Sequence, residues 1–186
     1  MRYDLFPTPI WRIEGTPQEL VDELYQGAYR FKEKHPSTNR SNEGGYQTPF
    51  LDWKDFHPQG IEYIDKVVGD IFSRGTYKNH QNFSEVKNPQ FKVQNWWYNI
   101  NGKGNWNTPH THPNCDMALV LYLTDSDGLL QLMCPFLQRK LRSSSHVGIN
   151  AKKGDIIIFP SDLVHYVMPN QREEDRISIS MNLQLC

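Results

Sequence analysis

Apolar residues recur at helical spacing in two segments of the first half of the chain. The first segment follows Thr16-Pro17, and a threonine N-cap before a proline at the first helical position is a typical helix start. We predict a helix from there to about residue 34, where His35-Pro36 ends it. A second predicted helix has the same spacing and stops near Gly75, with apolar positions at Ile61, Ile64, Val67, Val68, Ile71 and Phe72.

The rest of the first half lacks this periodicity. Residues 3–14 alternate between apolar and polar positions around two prolines, which favours one or two short edge strands. Residues 37–56 are polar, glycine-rich and aromatic, and we interpret them as one long loop that acts as a lid or contacts substrate. Residues 76–89 are predicted to form a polar connector.

Beyond residue 90 the pattern changes to short runs of aliphatic, β-branched and aromatic residues, which are typical of strands. We predict strands at residues 91–100, 117–123, 129–133, 156–159, 164–168 and 176–185. Residues 134–146 are basic and serine-rich and are predicted to form a surface loop, in which Arg139, Lys140 and Arg142 could meet an acidic substrate. Helices followed by strands predict an α+β, mostly β fold, with both helices packed on one side of a sandwich or barrel. We expect a single domain over residues 1–186.

Composition narrows the classes of function. The formal net charge of -1 gives no reason to expect binding to nucleic acid or to a membrane surface. The three cysteines, Cys115, Cys134 and Cys186, are too few and odd in number for a disulfide framework. With no apparent signal peptide and no apolar run long enough to span a bilayer, we expect a cytoplasmic protein in a reducing compartment.

The clearest candidate chemistry is the stretch Asn107-Thr-Pro-His-Thr-His-Pro-Asn114. On extended backbone, residues two apart point to the same face, so His110 and His112 would present two imidazoles side by side. His165 follows an apolar strand and is the best candidate for a third metal ligand. Imidazole suits iron, copper, nickel and zinc alike, so these residues do not select the metal. The alternative is that the His-x-His pair forms a solvated turn. The other four histidines lie in polar or loop segments and are expected at the surface: His35, His57, His80 and His146.

Several motifs together resemble the 2-oxoglutarate/Fe(II)-dependent oxygenases, in particular a small phage- and marine-bacterial-type group. The resemblance covers nearly the whole chain and rests on Leu5-Phe-Pro-Thr-Pro-Ile-Trp11, Gly44-Gly45-Tyr-Gln, Pro109-His-Thr-His-Pro-Asn114, Gly154-Asp-Ile-Ile-Ile-Phe-Pro-Ser-Asp-Leu-Val-His165 and Asp175-Arg-Ile-Ser-Ile-Ser-Met-Asn182. It implies a double-stranded β-helix, which is a jelly-roll barrel with iron at its mouth. It also implies that His110 and His165 are iron ligands. The third ligand would be His112, where the wider superfamily usually has Asp or Glu, with Asp116 as the reserve.

The last predicted strand carries the candidate cosubstrate site. Arg176 and Ser178 are two residues apart and can point the same way, and the wider superfamily uses such a pair for the distal carboxylate of 2-oxoglutarate. The alternative is that Arg176 only pairs within the charged run Arg172-Glu-Glu-Asp-Arg176. Tyr98, Tyr122 and Asn182 could also contact the cosubstrate, although such residues are often satisfied core groups. Relatives tend to have Ser-Gly in place of Ala118-Leu119, so we expect extra bulk near the pocket.

The resemblance therefore implies a dioxygenase that uses Fe(II), 2-oxoglutarate and O2 to hydroxylate a small-molecule or peptide substrate, releasing succinate. A cupin-type metal protein that does not use 2-oxoglutarate is the second reading of the same histidine and Gly-Asp motifs. A metal-free jelly-roll binding module is the third. The sequence names neither the substrate nor the oligomeric state, for which a homodimer is one option.

Overall fold

The computed structural model describes residues 8–38, 40–73, 90–127, 130–135 and 145–186. Several predictions lie outside these ranges: the first residues of the N-terminal edge strands, the stop at Gly75, the connector at 76–89, the surface position of His80, and the basic residues of the loop after residue 135.

Both predicted helices are present. Helix α1 spans Gln18–Lys34 and helix α2 spans Pro58–Ser73, with a single 3-10 turn at Trp53–Asp55 between them. The start of α1 differs from the prediction, because its N-cap is Pro17 and no side chain caps it. Thr16 is buried instead, with its hydroxyl unpaired among the described residues.

The described residues contain twelve strands. The first four are short: β1 (Trp11–Ile13), β2 (Asn42–Glu43), β3 (Tyr46–Gln47) and β4 (Leu51–Asp52). The remaining strands are β5 (Phe91–Asn101), β6 (Trp106–His110), β7 (Met117–Tyr122), β8 (Leu130–Met133), β9 (His146–Ile149), β10 (Ile156–Pro160), β11 (His165–Val167) and β12 (Arg176–Leu185). The interpretation of residues 37–56 as one loop is therefore wrong, because β2, β3 and β4 interrupt it.

The strands form two antiparallel sheets. The major sheet has the order β1-β10-β7-β12-β5-β3, with β4 also paired to β5, and the minor sheet has the order β2-β6-β11-β8-β9. The arrangement is the double-stranded β-helix that the family resemblance implies, although the two sheets do not close into a continuous barrel. Among the described strands, β1 pairs only with β10 and is an edge strand, as predicted.

Strand β12 divides the core into two parts. Ile177, Ile179 and Met181 are fully buried on the face that packs against the helices. Arg176 and Ser178 alternate with them and point to the opposite, inner face, between the two sheets. Because side chains alternate along the strand, the burial of Ile177 and Ile179 against the helices makes Arg176 and Ser178 point to the inner face.

The same alternation corrects the expectation for Ala118-Leu119. Leu119 is fully buried in the cluster that the helices cover, whereas Ala118 belongs to the smaller cluster between the sheets. The added bulk of the leucine therefore supports helix packing and does not narrow the inner cavity.

The two glycines of the Gly44-Gly45 motif connect the two sheets, because β2 belongs to the minor sheet and β3 to the major one. Gly44 has φ +75°, a conformation that L residues rarely adopt. A Cβ at Gly45 would lie 2.7 Å from the carbonyl oxygen of Ile100. Both positions thus need glycine for the chain to cross between sheets at this point.

Candidate metal centre

The three predicted histidines converge. His165 on β11 lies directly opposite His110 on β6 in the register of the minor sheet. The ring centroids of His110 and His165 are 4.3 Å apart, and that of His112 lies 5.0 Å from His165. One ligand nitrogen from each imidazole lies within 4.8 Å of the others. Three nitrogen donors at this separation could surround a single metal ion.

Each imidazole is oriented by a hydrogen bond from its Nδ1. Nδ1 of His110 donates to the carbonyl oxygen of Thr108 at 2.7 Å, and Nδ1 of His165 donates to the carbonyl oxygen of Leu163 at 2.9 Å. Nδ1 of His112 donates to Oδ1 of Asn182 at 2.8 Å. Because all three acceptors hold the proton on Nδ1, each Nε2 keeps a lone pair for a metal. This is the usual way in which a protein fixes the tautomer of a ligating histidine.

Burial keeps these imidazoles neutral. Desolvation lowers the pKa of His112 to about 4 and that of His165 to about 3, with His110 adding to both shifts. The pKa of His110 is also lowered by burial. The cluster therefore offers neutral ligands at neutral pH without first having to release protons.

Asp116, the reserve ligand, is not part of this cluster of ligand atoms. Its carboxylate accepts hydrogen bonds from the backbone N–H of Leu185 at 2.6 Å and from the Gln184 side chain at 2.9 Å. The carboxylate is thus engaged at the end of β12, and His112 is the residue that completes the cluster.

Arg176 and Ser178 line the same cavity as the histidines, here called the inner cavity. Tyr122 also lines it and pairs with Ser178 in the register of β7 and β12. Arg176 is 5% exposed, and its Nη1 donates to the carbonyl oxygen of Met168 at 2.9 Å. Its other terminal nitrogen, Nη2, has no partner among the described residues. Burial lowers the pKa of Arg176 to about 10, so the guanidinium remains charged at neutral pH.

None of the described acidic side chains lines the inner cavity. The alternative that Arg176 only pairs with neighbouring acids is therefore not supported among the described residues, where no ion pair involves it. A buried cation with an unpaired donor carries a high desolvation cost and fits an anionic partner. A carboxylate such as that of 2-oxoglutarate could supply the anionic acceptor that Nη2 of Arg176 lacks.

Two other predicted cosubstrate residues lie elsewhere. Tyr98 points to the helical face of the major sheet, where its hydroxyl donates to the carbonyl oxygen of Leu24 in α1. The prediction for Tyr98 is therefore wrong, because Tyr98 faces the helices, whereas its neighbours Trp97 and Asn99 face the cavity. Asn182 orients His112, and its Nδ2 donates to Oδ1 of Asn95. It therefore contacts one of the three clustered histidines rather than the Arg176 end of the cavity.

The sequence reasoning missed several polar and aromatic residues of the inner cavity. Trp97, Asn99, Asn101 and Asn107 all line it. Asn101 donates to Asn107 at 2.8 Å and accepts from Asn42 at 2.6 Å, so the end of the cavity is closed by a chain of buried amides. Alternation along β5 was the available signal, since Trp97, Asn99 and Asn101 share one face.

Comparisons with known proteins agree with this geometry. Residues 95–182, which carry the three histidines, Arg176 and Ser178, match the family described as "Putative 2OG-Fe(II) oxygenase". No curated protein sequence matches the chain.

Solved structures show the same fold at low sequence identity. A Pseudomonas putida prolyl-4-hydroxylase is 15% identical with a TM-score of 0.65, covering 94% of this chain and 91% of that one. HygX from Streptomyces hygroscopicus, with nickel and 2-oxoglutarate bound, is 11% identical with a TM-score of 0.60, covering 95% and 83%. A viral collagen prolyl hydroxylase from Paramecium Bursaria Chlorella virus-1, in complex with 2-oxoglutarate, is 17% identical with a TM-score of 0.57, covering 94% of both chains.

Proposed function

We propose that this chain, whose residues 95–182 match the 2OG-Fe(II) oxygenase family, hydroxylates an organic substrate while 2-oxoglutarate is decarboxylated to succinate. One observation carries the proposal: three convergent imidazoles and a buried guanidinium with an unpaired donor line a single cavity. Bound Fe(II) and 2-oxoglutarate supply, with O2, the oxidation of a C–H bond that no side chain could perform.

In this proposal His110, His112 and His165 hold the iron through Nε2. Their Nδ1 hydrogen bonds fix the direction of each lone pair, so little reorganisation is needed on binding. His112 replaces the carboxylate that is more usual at this position. The ligand set is then neutral, which leaves one more positive charge at the centre than two histidines and a carboxylate would leave.

Arg176 orients the cosubstrate by binding its distal carboxylate through Nη2, and Tyr122 and Ser178 provide hydroxyl groups beside it. Phe159 packs edge-on against His165, with 4.7 Å between ring centroids, and excludes water from that side of the metal centre. The burial of Arg176 strengthens the attraction between its guanidinium and the carboxylate.

Product analysis tests the proposed reaction. Protein reconstituted with Fe(II) and supplied with O2 should convert 2-oxoglutarate to succinate and carbon dioxide in equal amounts. The His110→Ala, His165→Ala double variant should retain neither metal nor turnover, because only one of the three imidazoles remains. Metal retained in equal amount by the double variant, or 2-oxoglutarate left unconsumed by the reconstituted wild type with every substrate tried, would count against the proposal.

Arg176→Ala should weaken 2-oxoglutarate binding about 10-fold to 100-fold, the effect of losing a buried hydrogen bond to a charged group. Metal content should not change, because Arg176 does not contact the histidines. Arg172→Ala is the matched control, since Arg172 is exposed and pairs with Asp127 at 3.3 Å. Equal 2-oxoglutarate affinities in the two variants, measured by calorimetry, would remove Arg176 from the cosubstrate site.

A further inference from the structure

A second cavity, here called the outer cavity, meets the inner one at the histidines. It has a volume of about 400 Å³ and is lined in part by Arg40, Gln47 and Phe50. Trp97, His110 and His112 line both cavities, so the metal centre lies at their junction. If the inner cavity takes the cosubstrate, the outer cavity is the space beside the metal in which a substrate can lie.

A continuous row of rings leads from the surface to the metal centre along one wall of the outer cavity. The guanidinium carbon of Arg40 lies 3.8 Å from the ring centroid of Phe50, which is 41% exposed. The Phe50 and Trp97 centroids are 4.9 Å apart, and those of Trp97 and His112 are 5.3 Å apart. An aromatic or apolar body could pack against this wall.

Among the described residues, Arg40 is the only charged side chain that lines the outer cavity, because the two histidines there are neutral. No ion pair between described residues involves it. The guanidinium carbon lies over the Phe50 ring, and the N–H groups of Arg40 are suited to bind a carboxylate in the bidentate manner.

A second group in the outer cavity also lacks a partner. Gln47 is 2% exposed, and its Oε1 accepts no hydrogen bond from the described residues. Its backbone is already used, because its N–H donates to Ser37 and its carbonyl oxygen accepts from Thr38. A buried acceptor of this kind is costly unless a ligand or water donates to it.

We infer that the outer cavity selects a substrate with a carboxylate group, an apolar or aromatic body and an N–H or O–H donor. Arg40 binds the carboxylate, the Phe50–Trp97 wall holds the body and Gln47 accepts from the donor. This inference rests on the proposed function, which places the reaction at the three histidines. The positions of Arg40, Phe50 and Gln47 do not depend on a bound metal ion.

The three proposed histidine ligands of the metal centre also favour an anionic substrate. Fe(II) with a doubly charged 2-oxoglutarate and three neutral imidazoles carries no net formal charge. A carboxylate in place of His112 would make the centre negative and would repel an anionic substrate at short range. The third histidine and Arg40 therefore act in the same direction.

Matched pairs of probes test the inference. N-acetylphenylalanine and the peptide Gly-Gly-Phe, each with its own primary amide, differ within a pair only in the charge that Arg40 would recognise. Binding is measured by calorimetry, without O2, on protein loaded with Fe(II) and saturating 2-oxoglutarate, and again on metal-free protein. The variants are Arg40→Gln and, as the control, Arg172→Gln, which removes an exposed arginine outside this cavity.

At least one acid should bind about tenfold more tightly than its amide, the effect of one charge-assisted pair. Arg40→Gln should abolish this preference and Arg172→Gln should keep it. The pair that shows the preference distinguishes a single acylated amino acid from a longer peptide as the body that fits the outer cavity. The inference is overturned if no acid binds more tightly than its amide, or if the preference persists in Arg40→Gln. It is also overturned if affinity falls as 2-oxoglutarate is raised, since the acid would then occupy the inner cavity.

Failure of this inference and failure of the proposed function are separable. Arg40→Gln should bind Fe(II) and 2-oxoglutarate as the wild type does, because Arg40 does not line the inner cavity. A wild-type protein that does not bind 2-oxoglutarate contradicts the proposed function, whereas the comparison of acid with amide on metal-free protein still tests the role of Arg40.

Discussion

The chemistry of the candidate centre depends on residues that hold other residues in place. Asn182 shows this clearly, because its amide accepts from His112 and donates to Asn95 on the neighbouring strand. The sequence motif drew attention to Asn182 but placed it with the cosubstrate. Its contact with a histidine could not be foreseen, because that contact depends on how the loop after β6 folds over β12.

Asn182→Ala should lower metal affinity about 10-fold to 100-fold, the usual cost of losing a group that orients a ligating histidine. Gln184→Ala is the control, because Gln184 lies on the same strand but contacts Asp116 at the surface. Metal content after dialysis against a graded chelator series measures the effect. Equal retention in both variants would show that Asn182 does not orient a ligand.

Removal of the hydroxyl group from Tyr122 and from Tyr98 gives a matched pair of variants. Tyr122→Phe should weaken 2-oxoglutarate binding about 2-fold to 10-fold, since one neutral hydrogen bond contributes about 0.5–1.5 kcal/mol. Tyr98→Phe should leave that affinity unchanged and instead lower stability by about 1 kcal/mol, because its hydroxyl bonds Leu24 in α1. Calorimetry and urea unfolding of both variants give the two readouts, and a loss of affinity in Tyr98→Phe alone would reverse the assignment.

At the scale of elements, strand β12 links stability to the site. Its helix-facing residues lie in the larger core cluster and its alternate residues line the inner cavity. The sequence predicted this strand and both helices because their periodicities are long and regular. It did not predict β2, β3 and β4, which have two residues each and exist only through pairing with β5 or β6.

Strand β5 shows a different limit of sequence reasoning. Trp96, Trp97 and Tyr98 are consecutive aromatic residues, so these three residues by themselves do not show which of them faces the helices; only the polar Asn99 and Asn101 further along the strand indicate the cavity face. The structure places Trp96 and Tyr98 in the helix-facing cluster and Trp97 in the cavity. The error over Tyr98 follows from that ambiguity, whereas the shared face of Arg176 and Ser178 is predictable from the sequence because apolar residues alternate with them.

Ile179→Ala should destabilise the protein by about 2–5 kcal/mol, because Ile179 is fully buried against the helical side and its truncation leaves a cavity. Ile10→Ala is the control, since Ile10 is 39% exposed. Urea unfolding monitored by circular dichroism measures both. Equal midpoints would mean that β12 does not anchor the core.

At the scale of the whole molecule, the helices cover one face of the major sheet and leave the space between the sheets for chemistry. No helix among the described residues is long and apolar enough to cross a bilayer. The family match, together with the three converging histidines, favours the oxygenase over the cupin-type and metal-free readings that the motifs alone left open.

The central claim is that one cavity holds both Fe(II) and 2-oxoglutarate, the metal on three histidines and the cosubstrate on Arg176. Anaerobic titration of the Fe(II)-loaded protein with 2-oxoglutarate tests it most directly, because chelation of iron by the 2-oxo acid produces a visible charge-transfer band. The band should saturate at one equivalent in the wild type and should need a higher concentration of 2-oxoglutarate in Arg176→Ala. A wild-type protein that retains iron and develops no band would contradict the claim.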